Sequence, residues 1–321
     1  MPPQPPPAQG VRLLWTDIPV AVRDAVEAEL GSSVSAATSQ PSGFSPGVAS
    51  RLHLANGRRI FLKAVGPHSN PDAPGIHRRE VRIVSALPAN APVPRLLGAY
   101  DEGDAGWIVM WFQAIDGREP AQPWQPAEFD RVLGALAYLS AALTPVPLAP
   151  GTVPSAATAV RHWINGWRRL ADEDPAYLDQ LDAWSRRHLA QLIDLEDAAP
   201  AAVGGETLLH FDLRADNILL TPERVWFVDW PHAHVGAAWV DVAFFAPSVT
   251  MQGGPPPKEI LARHPAGRVA DADAVTAAIA AIAGFFTHRA LQPPPPGLPT
   301  LRAFQAAQGE VARAWVAERI D

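Results

Sequence analysis

The segment Leu208–Trp230, LLHFDLRADNILLTPERVWFVDW, constrains this 321-residue chain more than any other. It sets His210, Asp212 and Asn217 in the pattern H-x-D-x-x-x-x-N and ends a short apolar run on Asp229. Asn217-Ile218-Leu219-Leu220 reads as one strand, Thr221-Pro222-Glu223-Arg224 as a turn, and Val225-Trp226-Phe227-Val228 as the return strand. A loop followed by so short a hairpin brings Asp212, Asn217 and Asp229 to one place. A surface loop with scattered polar residues has no reason to keep this order and spacing of residue types, least of all with a matching lysine upstream.

The spacing resembles that of kinases, which arrange a catalytic base and two Mg²⁺ ligands around ATP in this way. On that pattern Asp212 accepts the proton of an attacking hydroxyl, and Asn217 and Asp229 hold metal against the nucleotide phosphates. Lys63 lies in Arg59-Ile60-Phe61-Leu62-Lys63-Ala64-Val65, whose alternation predicts a strand. Such a lysine can reach the α- and β-phosphates as a point charge. Only one other lysine, Lys258, occurs in the chain. Lys63 needs an anionic partner, and Glu80, on the predicted helix after that strand, is the candidate.

Ser42-Gly43-Phe44-Ser45-Pro46-Gly47 falls in the turn between the first two strands. Small residues there let backbone amides approach phosphates, and the hydroxyls of Ser42 and Ser45 offer further donors. For adenine, the strand Trp107–Phe112 leads into a crossover. The backbone of Trp111 and Gln113 is expected to meet the base edge, with Met110 guarding the pocket. Arg214 could neutralise charge on the transferred phosphoryl group or be a solvated loop arginine. His210 is expected to hold the loop together by hydrogen bonding, and Asp241 either to brace that loop or to cap a helix. His232 and His234 read as loop residues, because no third metal ligand is near in sequence. Trp163 and Trp167, four apart on one predicted helix, read as packing residues.

Hydrophobic residues make up 48% of the chain, enough for a real core. The net charge of −7 without a basic patch argues against nucleic acid and would suit a cationic substrate. The absence of cysteine excludes disulfides and thiolate chemistry. No signal peptide and no apolar run of membrane-spanning length is read, so no membrane association and a cytoplasmic location, which ATP use requires, are expected.

The fold expected is α+β and bilobal. Residues 1–10 are a loose proline-rich tail, 11–113 a small nucleotide-binding β-sheet lobe with one inserted helix, and 114–321 a larger helical lobe. In the second lobe, helices are expected over Pro126–Leu143, Ala156–Leu170, Pro175–Leu195, Val240–Pro247, Ala270–Leu291 and Thr300–Ile320.

Together these residues resemble the aminoglycoside phosphotransferase and choline kinase-like family, which has a protein-kinase-like fold. Its H-G-D-x-x-x-x-N loop and I-D-W-type motif correspond to His210-Phe211-Asp212-Leu213-Arg214-Ala215-Asp216-Asn217 and Val228-Asp229-Trp230. The resemblance spans residues 30–320. It implies an ATP- and Mg²⁺-dependent phosphotransferase acting on a small-molecule hydroxyl, with Asp212 as base, Asn217 and Asp229 as metal ligands, and Lys63 with Glu80 at the phosphates. Phe211 departs from the usual glycine, and Pro231 stands where an acidic residue is common. Protein kinases are a rival, but Asp229 is followed by Trp-Pro, and neither A-P-E nor G-x-G-x-x-G occurs. Family acceptors include aminoglycosides, macrolides, choline, amino sugars and homoserine, so antibiotic inactivation and a metabolic kinase both stay open, as does a non-catalytic nucleotide-binding protein. Candidate carboxylates for a cationic acceptor are Asp172, Glu173, Asp174, Glu310, Glu318 and Asp321.

Overall fold

Alternation along two adjacent strands decides what faces the cleft. The computed structural model describes residues 6–44, 47–67, 72–103, 106–173 and 175–321. Its first lobe runs β1 (Arg12–Leu13), α1 (Val20–Leu30), β2 (Val34–Ser39), β3 (Gly47–Leu54), β4 (Arg59–Val65), α2 (Ala73–Ser85), β5 (Leu96–Asp101) and β6 (Ile108–Gln113). The sheet order is β1-β3-β4-β6-β5, with β2 also paired to β3. All pairings are antiparallel except β1 with β3. On β4, Ile60, Leu62 and Ala64 pack against Val22, Val26 and Leu30 of α1. Period two therefore turns Phe61 and Lys63 to the opposite, cleft face. On β6 the same rule sends Val109 and Trp111 to the α1 side, and Met110 and Phe112 to the core shared with Ile83 and Val84 of α2.

The second lobe contains α3 (Pro126–Ala142), α4 (Ala156–His162), α5 (Gly166–Asp172), α6 (Ala183–Arg187), α7 (Leu189–Ala202), β7 (Thr207–Leu209), β8 (Ile218–Leu220), β9 (Val225–Phe227), β10 (His234–Gly236), α8 (Val240–Met251), α9 (Pro257–Arg263), α10 (Pro265–Arg268), α11 (Ala272–Leu291) and α12 (Leu301–Ile320). The architecture is α+β with the sheet in the first lobe and helices dominating the second, as the sequence predicts. The hairpin forms as read: β8 and β9 pair from Ile218–Phe227 to Leu220–Val225, and Thr221 N donates to Arg224 O at 2.9 Å.

Two helix expectations fail, one beside a close helix crossing and one at a new N-cap. Ala156–Leu170 is not continuous; it breaks at Trp163-Ile164-Asn165, between α4 and α5. Gly166 then crosses α11 so closely that a Cβ there would lie 2.0 Å from Gly284 O. The break separates the two tryptophans: Trp167 is fully buried with its Nε1 donating to Ala280 O at 2.8 Å, whereas Trp163 is 65% exposed. The Pro175–Leu195 segment likewise divides into a short 3₁₀ turn, α6 and α7, because Asp182 Oδ1 caps Ser185 N at 2.8 Å and restarts the helix.

α11 is the one helix among the described residues long and apolar enough to cross a membrane, but 72% of its most apolar window is buried against the rest of the chain. It is the central helix of the second lobe, packed on α5, α7, α8 and α12.

The tail expectation also changes. Thr300 Oγ1 donates to the carbonyls of Pro7 at 2.9 Å and Gln9 at 3.1 Å. Gly43 N donates to Ala8 O at 2.9 Å, and Val11 N to Gly297 O at 2.8 Å. Residues 7–11 are thus tied to both lobes. Proline supplies no N–H of its own, but its carbonyl still accepts.

Candidate active site

The catalytic-loop motif is held by hydrogen bonds from behind. Asp241, in the first turn of α8, accepts from the backbone N–H groups of His210 and Phe211, both at 2.8 Å. Burial pushes its carboxyl up to about 6 against the pull of those two N–H groups. His210 is fully buried. Its Nδ1 accepts from Asp212 N at 3.3 Å, and its Nε2 meets Val228 O at 2.9 Å, linking the loop to the strand that carries Asp229. Phe211 adopts φ of +67° and Asp229 φ of +70°, left-handed conformations that side chains rarely take. The turn at Asp229 places that carboxylate in the cleft wall, and the turn at Phe211 immediately precedes Asp212. The Phe211 ring packs on His234 at 4.4 Å and on Phe244 at 5.4 Å, beside the Asp212 backbone.

Asn217 Nδ2 donates to Asp212 O at 2.8 Å, which leaves Asn217 Oδ1 as an acceptor. Lys63 Nζ donates to Glu80 Oε1 and Oε2 at 2.8 and 2.9 Å and to Asp229 Oδ1 at 2.6 Å. Burial of Asp229 opposes its ionisation, but the Lys63 ammonium overrides burial and holds the carboxylate far below its usual range. Burial likewise opposes the Lys63 charge, and Asp229 and Glu80 together raise its affinity for the proton. Trp230 N also donates to Glu80 Oε1 at 3.3 Å.

Arg214 reaches Asp212 as its partner. Its Nη1 donates to Asp212 Oδ1 and Oδ2 at 2.5 and 2.7 Å, while Nε and Nη2 hold Asp216 at 3.0 and 2.9 Å. The guanidinium thus bridges two carboxylates and is not the solvated loop arginine that the sequence left open.

Several of these groups line one cleft between the lobes, a cavity of about 430 Å³, within the range of small-molecule sites, whereas Asp212 and Arg214 are not among its wall residues and reach it through Asn217 and Asp216. Ser42, Gly43, Lys63, Glu80, Gln113, Asn217 and Asp229 are in its walls. Other expectations need correcting. Met110 and Trp111 do not line the cleft: Met110 is buried beneath α2 and Trp111 points to α1. Phe112, Gln113 and Ile115 take that wall instead, and Gln113 N is already bonded to Arg95 O at 2.9 Å. The Phe44 side chain is also absent from the walls; its ring meets Phe304 of α12 edge-on at 5.2 Å with Arg214 5.4 Å above it. Ser45 lies outside the described residues.

The sequence reading missed Arg12, Phe112, Ile115, Glu119 and Asp216, all in the cleft wall. Asp216 carried a signal, since it sits inside the H-x-D-x-x-x-x-N motif; Arg12 carried none, lying 30 residues before the loop it touches. Of the acceptor carboxylates, Asp174 lies outside the described residues and none of the others lines the cleft. Glu318 faces Lys258 at 3.6 Å, and Asp321 accepts from Trp184 Nε1 at 2.9 Å. His232 lies in the turn before β10, whereas His234 opens that strand and packs on Phe211.

Comparison with known proteins supplies the family and the fold. The model of the phosphotransferase enzyme family matches residues 41–282. Acyl-CoA dehydrogenase family member 10 of Mus musculus is 23% identical over 209 residues, covering 60% of this chain; the chain spans only 18% of that relative's length. Among solved structures, a choline/ethanolamine kinase family protein from Mesorhizobium loti aligns with a TM-score of 0.59 at 16% identity, over 95% of this chain and 97% of that one. A fructosamine-3-kinase from Thermobifida fusca, so described as a tentative assignment, gives 0.56 at 19%, over 92% and 99%. A thermostable mutant of aminoglycoside phosphotransferase APH(4)-Ia, solved with AMP-PNP and hygromycin B, gives 0.56 at 17%, over 93% and 98%. At these identities the structures speak to the protein-kinase-like fold.

Proposed function

Because the chain belongs to the phosphotransferase enzyme family, we propose that it moves the γ-phosphoryl group of ATP to a hydroxyl of a small molecule, with Mg²⁺. The observation that carries this reading is the meeting of Lys63, Glu80 and Asp229 in the cleft that Asn217 also lines, with Asp212 tied to Asn217 and Arg214 at its edge. ATP use would fit a cytoplasmic location.

In this reading Lys63 neutralises charge on the phosphates while Glu80 fixes its position. Asn217 Oδ1 and the Asp229 carboxylate are hard oxygen donors, one neutral and one reliably ionised, and two such ligands suit Mg²⁺, which keeps its remaining positions for phosphate and water. Bound there, the ion would supply charge neutralisation and orientation of the phosphates. Asp212 accepts the hydroxyl proton as the acceptor oxygen bonds to the γ-phosphorus and the bond from that phosphorus to the bridging oxygen breaks, releasing ADP. Arg214 holds Asp212 in register by donating to both of its carboxylate oxygens. Fixed positions and preorganised charge would supply most of the rate enhancement. Phe211 makes the surroundings of the base apolar on one side.

The test is ADP release with Mg²⁺–ATP across aminoglycosides, macrolides, choline, amino sugars and homoserine, with Asp212→Ala as control. A hit that the variant loses supports the reading and names the acceptor class. An acceptor phosphorylated equally by the variant removes Asp212 as base, and intact ATP binding with no turnover on any hydroxyl favours a non-catalytic nucleotide-binding protein.

A further inference from the structure

The N-terminal segment brings into the cleft a cation that no motif announces. β1 runs parallel to the start of β3, with Arg12 opposite Gly47 and Leu13 opposite Val48. The Arg12 side chain thereby joins Lys63, Asp216 and Asp229 in the cleft wall. Its Nη2 donates to the carbonyl of Ser42 in the loop between β2 and β3. Gly43 has φ of +90°, and a Cβ there would stand 2.9 Å from Arg12 Nη2 and 3.8 Å from Asp216 Oδ2. Glycine thus keeps open a narrow slot between a guanidinium and a carboxylate. Burial weakens the hold of Arg12 on its proton, while the charges of Asp229 and Asp216 strengthen it, so the group lies within electrostatic reach of both.

The segment is anchored from outside the first lobe. Val11 bonds to Gly297, Pro7 and Gln9 accept from Thr300, and Phe44 rests on Phe304 of α12. The N-terminal strand, the loop tip and the C-terminal helix form one strap at the end of the cleft where Ser42 and Gly43 lie. Arg12 adds positive charge from the loop side, in a planar fork matched to phosphate oxygens.

We infer that Arg12 is a phosphate-binding residue for the nucleotide, carried by a strand outside the family-matched residues 41–282. The inference rests on the reading of the cleft as an ATP site. The alternative role is to brace the Ser42 carbonyl, for which one neutral N–H suffices. Arg12→Gln separates the two, since glutamine can donate to that carbonyl but carries no charge; Arg12→Ala is the second variant.

Calorimetric titration of the full chain with Mg²⁺–ATP and with adenosine decides it. The expected result is about tenfold or more weaker Mg²⁺–ATP binding in both variants, unchanged adenosine binding, and a shallower dependence of ATP affinity on NaCl. Wild-type ATP affinity in Arg12→Gln overturns the inference, as does an equal loss for ATP and adenosine, which marks a structural role. A wild-type chain that binds neither ligand instead overturns the reading of the cleft.

Discussion

The Lys63 ammonium stands 2.6 Å from Asp229 Oδ1, although 166 residues separate them in the chain. This contact joins a strand of the first lobe to the end of the hairpin in the second, and Glu80 completes it from α2. Removing Lys63 leaves two buried carboxylates without their shared counterpart.

Lys63→Met should therefore destabilise the fold as well as weaken nucleotide binding. Glu80 has a side chain only 3% exposed, and stranding one partner of a buried ion pair costs about 3–5 kcal/mol. Adding Glu80→Gln should recover much of the melting temperature without restoring ATP affinity. A single variant as stable as the parent would show that the pair is not energetically coupled.

Asp212→Asn keeps the shape of the base but cannot take a proton. Turnover should fall by about a hundredfold to ten-thousandfold, with Mg²⁺–ATP affinity unchanged by titration. Loss of ATP affinity in parallel would place Asp212 among the nucleotide ligands.

Asp229→Asn should lower affinity for Mg²⁺–ATP but leave adenosine binding as it was, since in the proposed site the carboxylate meets the metal and Lys63 and not the nucleoside. The difference between the two ligands, measured with and without Mg²⁺, checks this. An equal effect with and without the metal would contradict the assignment.

Gly166→Ala tests the crossing of α5 and α11. The added methyl would meet Gly284 O at 2.0 Å, and neither backbone can withdraw without moving its helix. A loss of about 1–3 kcal/mol or more is expected from urea unfolding. A neutral result would mean that the helices have room to slide apart.

His264, 1% exposed between α9 and α10, is held by burial down to about 4. Its folded value lies below that of the unfolded chain, so the neutral form is favoured by folding. Its contribution is intact above about pH 6.5 and is lost as pH falls toward about 4, because only the unfolded chain gains the proton in that window. His264→Leu should flatten the stability profile there, by roughly 1–2 kcal/mol. Glu196, pushed up to about 7, acts in the opposite sense, so the difference between variant and parent is the quantity to measure.

The charged and amide groups proposed for phosphate and metal were legible because they belong to local patterns. Lys63 follows from strand alternation, Asn217 and Asp229 from a hairpin of fixed length, and Asp241 from its place at the start of α8. The adenine wall was misplaced because periodicity alone does not say which face of β6 meets the cleft; α1 claims Trp111 and α2 covers Met110. The helix break at Trp163–Asn165 was hidden because its cause is Gly284, more than a hundred residues away.

The sequence by itself determined the catalytic loop, the hairpin and the two-lobe order, since each depends on the spacing of near neighbours. Only the tertiary structure decided that Arg214 pairs with Asp212 and Asp216, that Phe44 leans on α12, and that Arg12 enters the cleft. Those outcomes depend on which distant charges and surfaces chain packing brings within a few ångströms, and Coulomb attraction and burial act on that distance and not on separation along the chain.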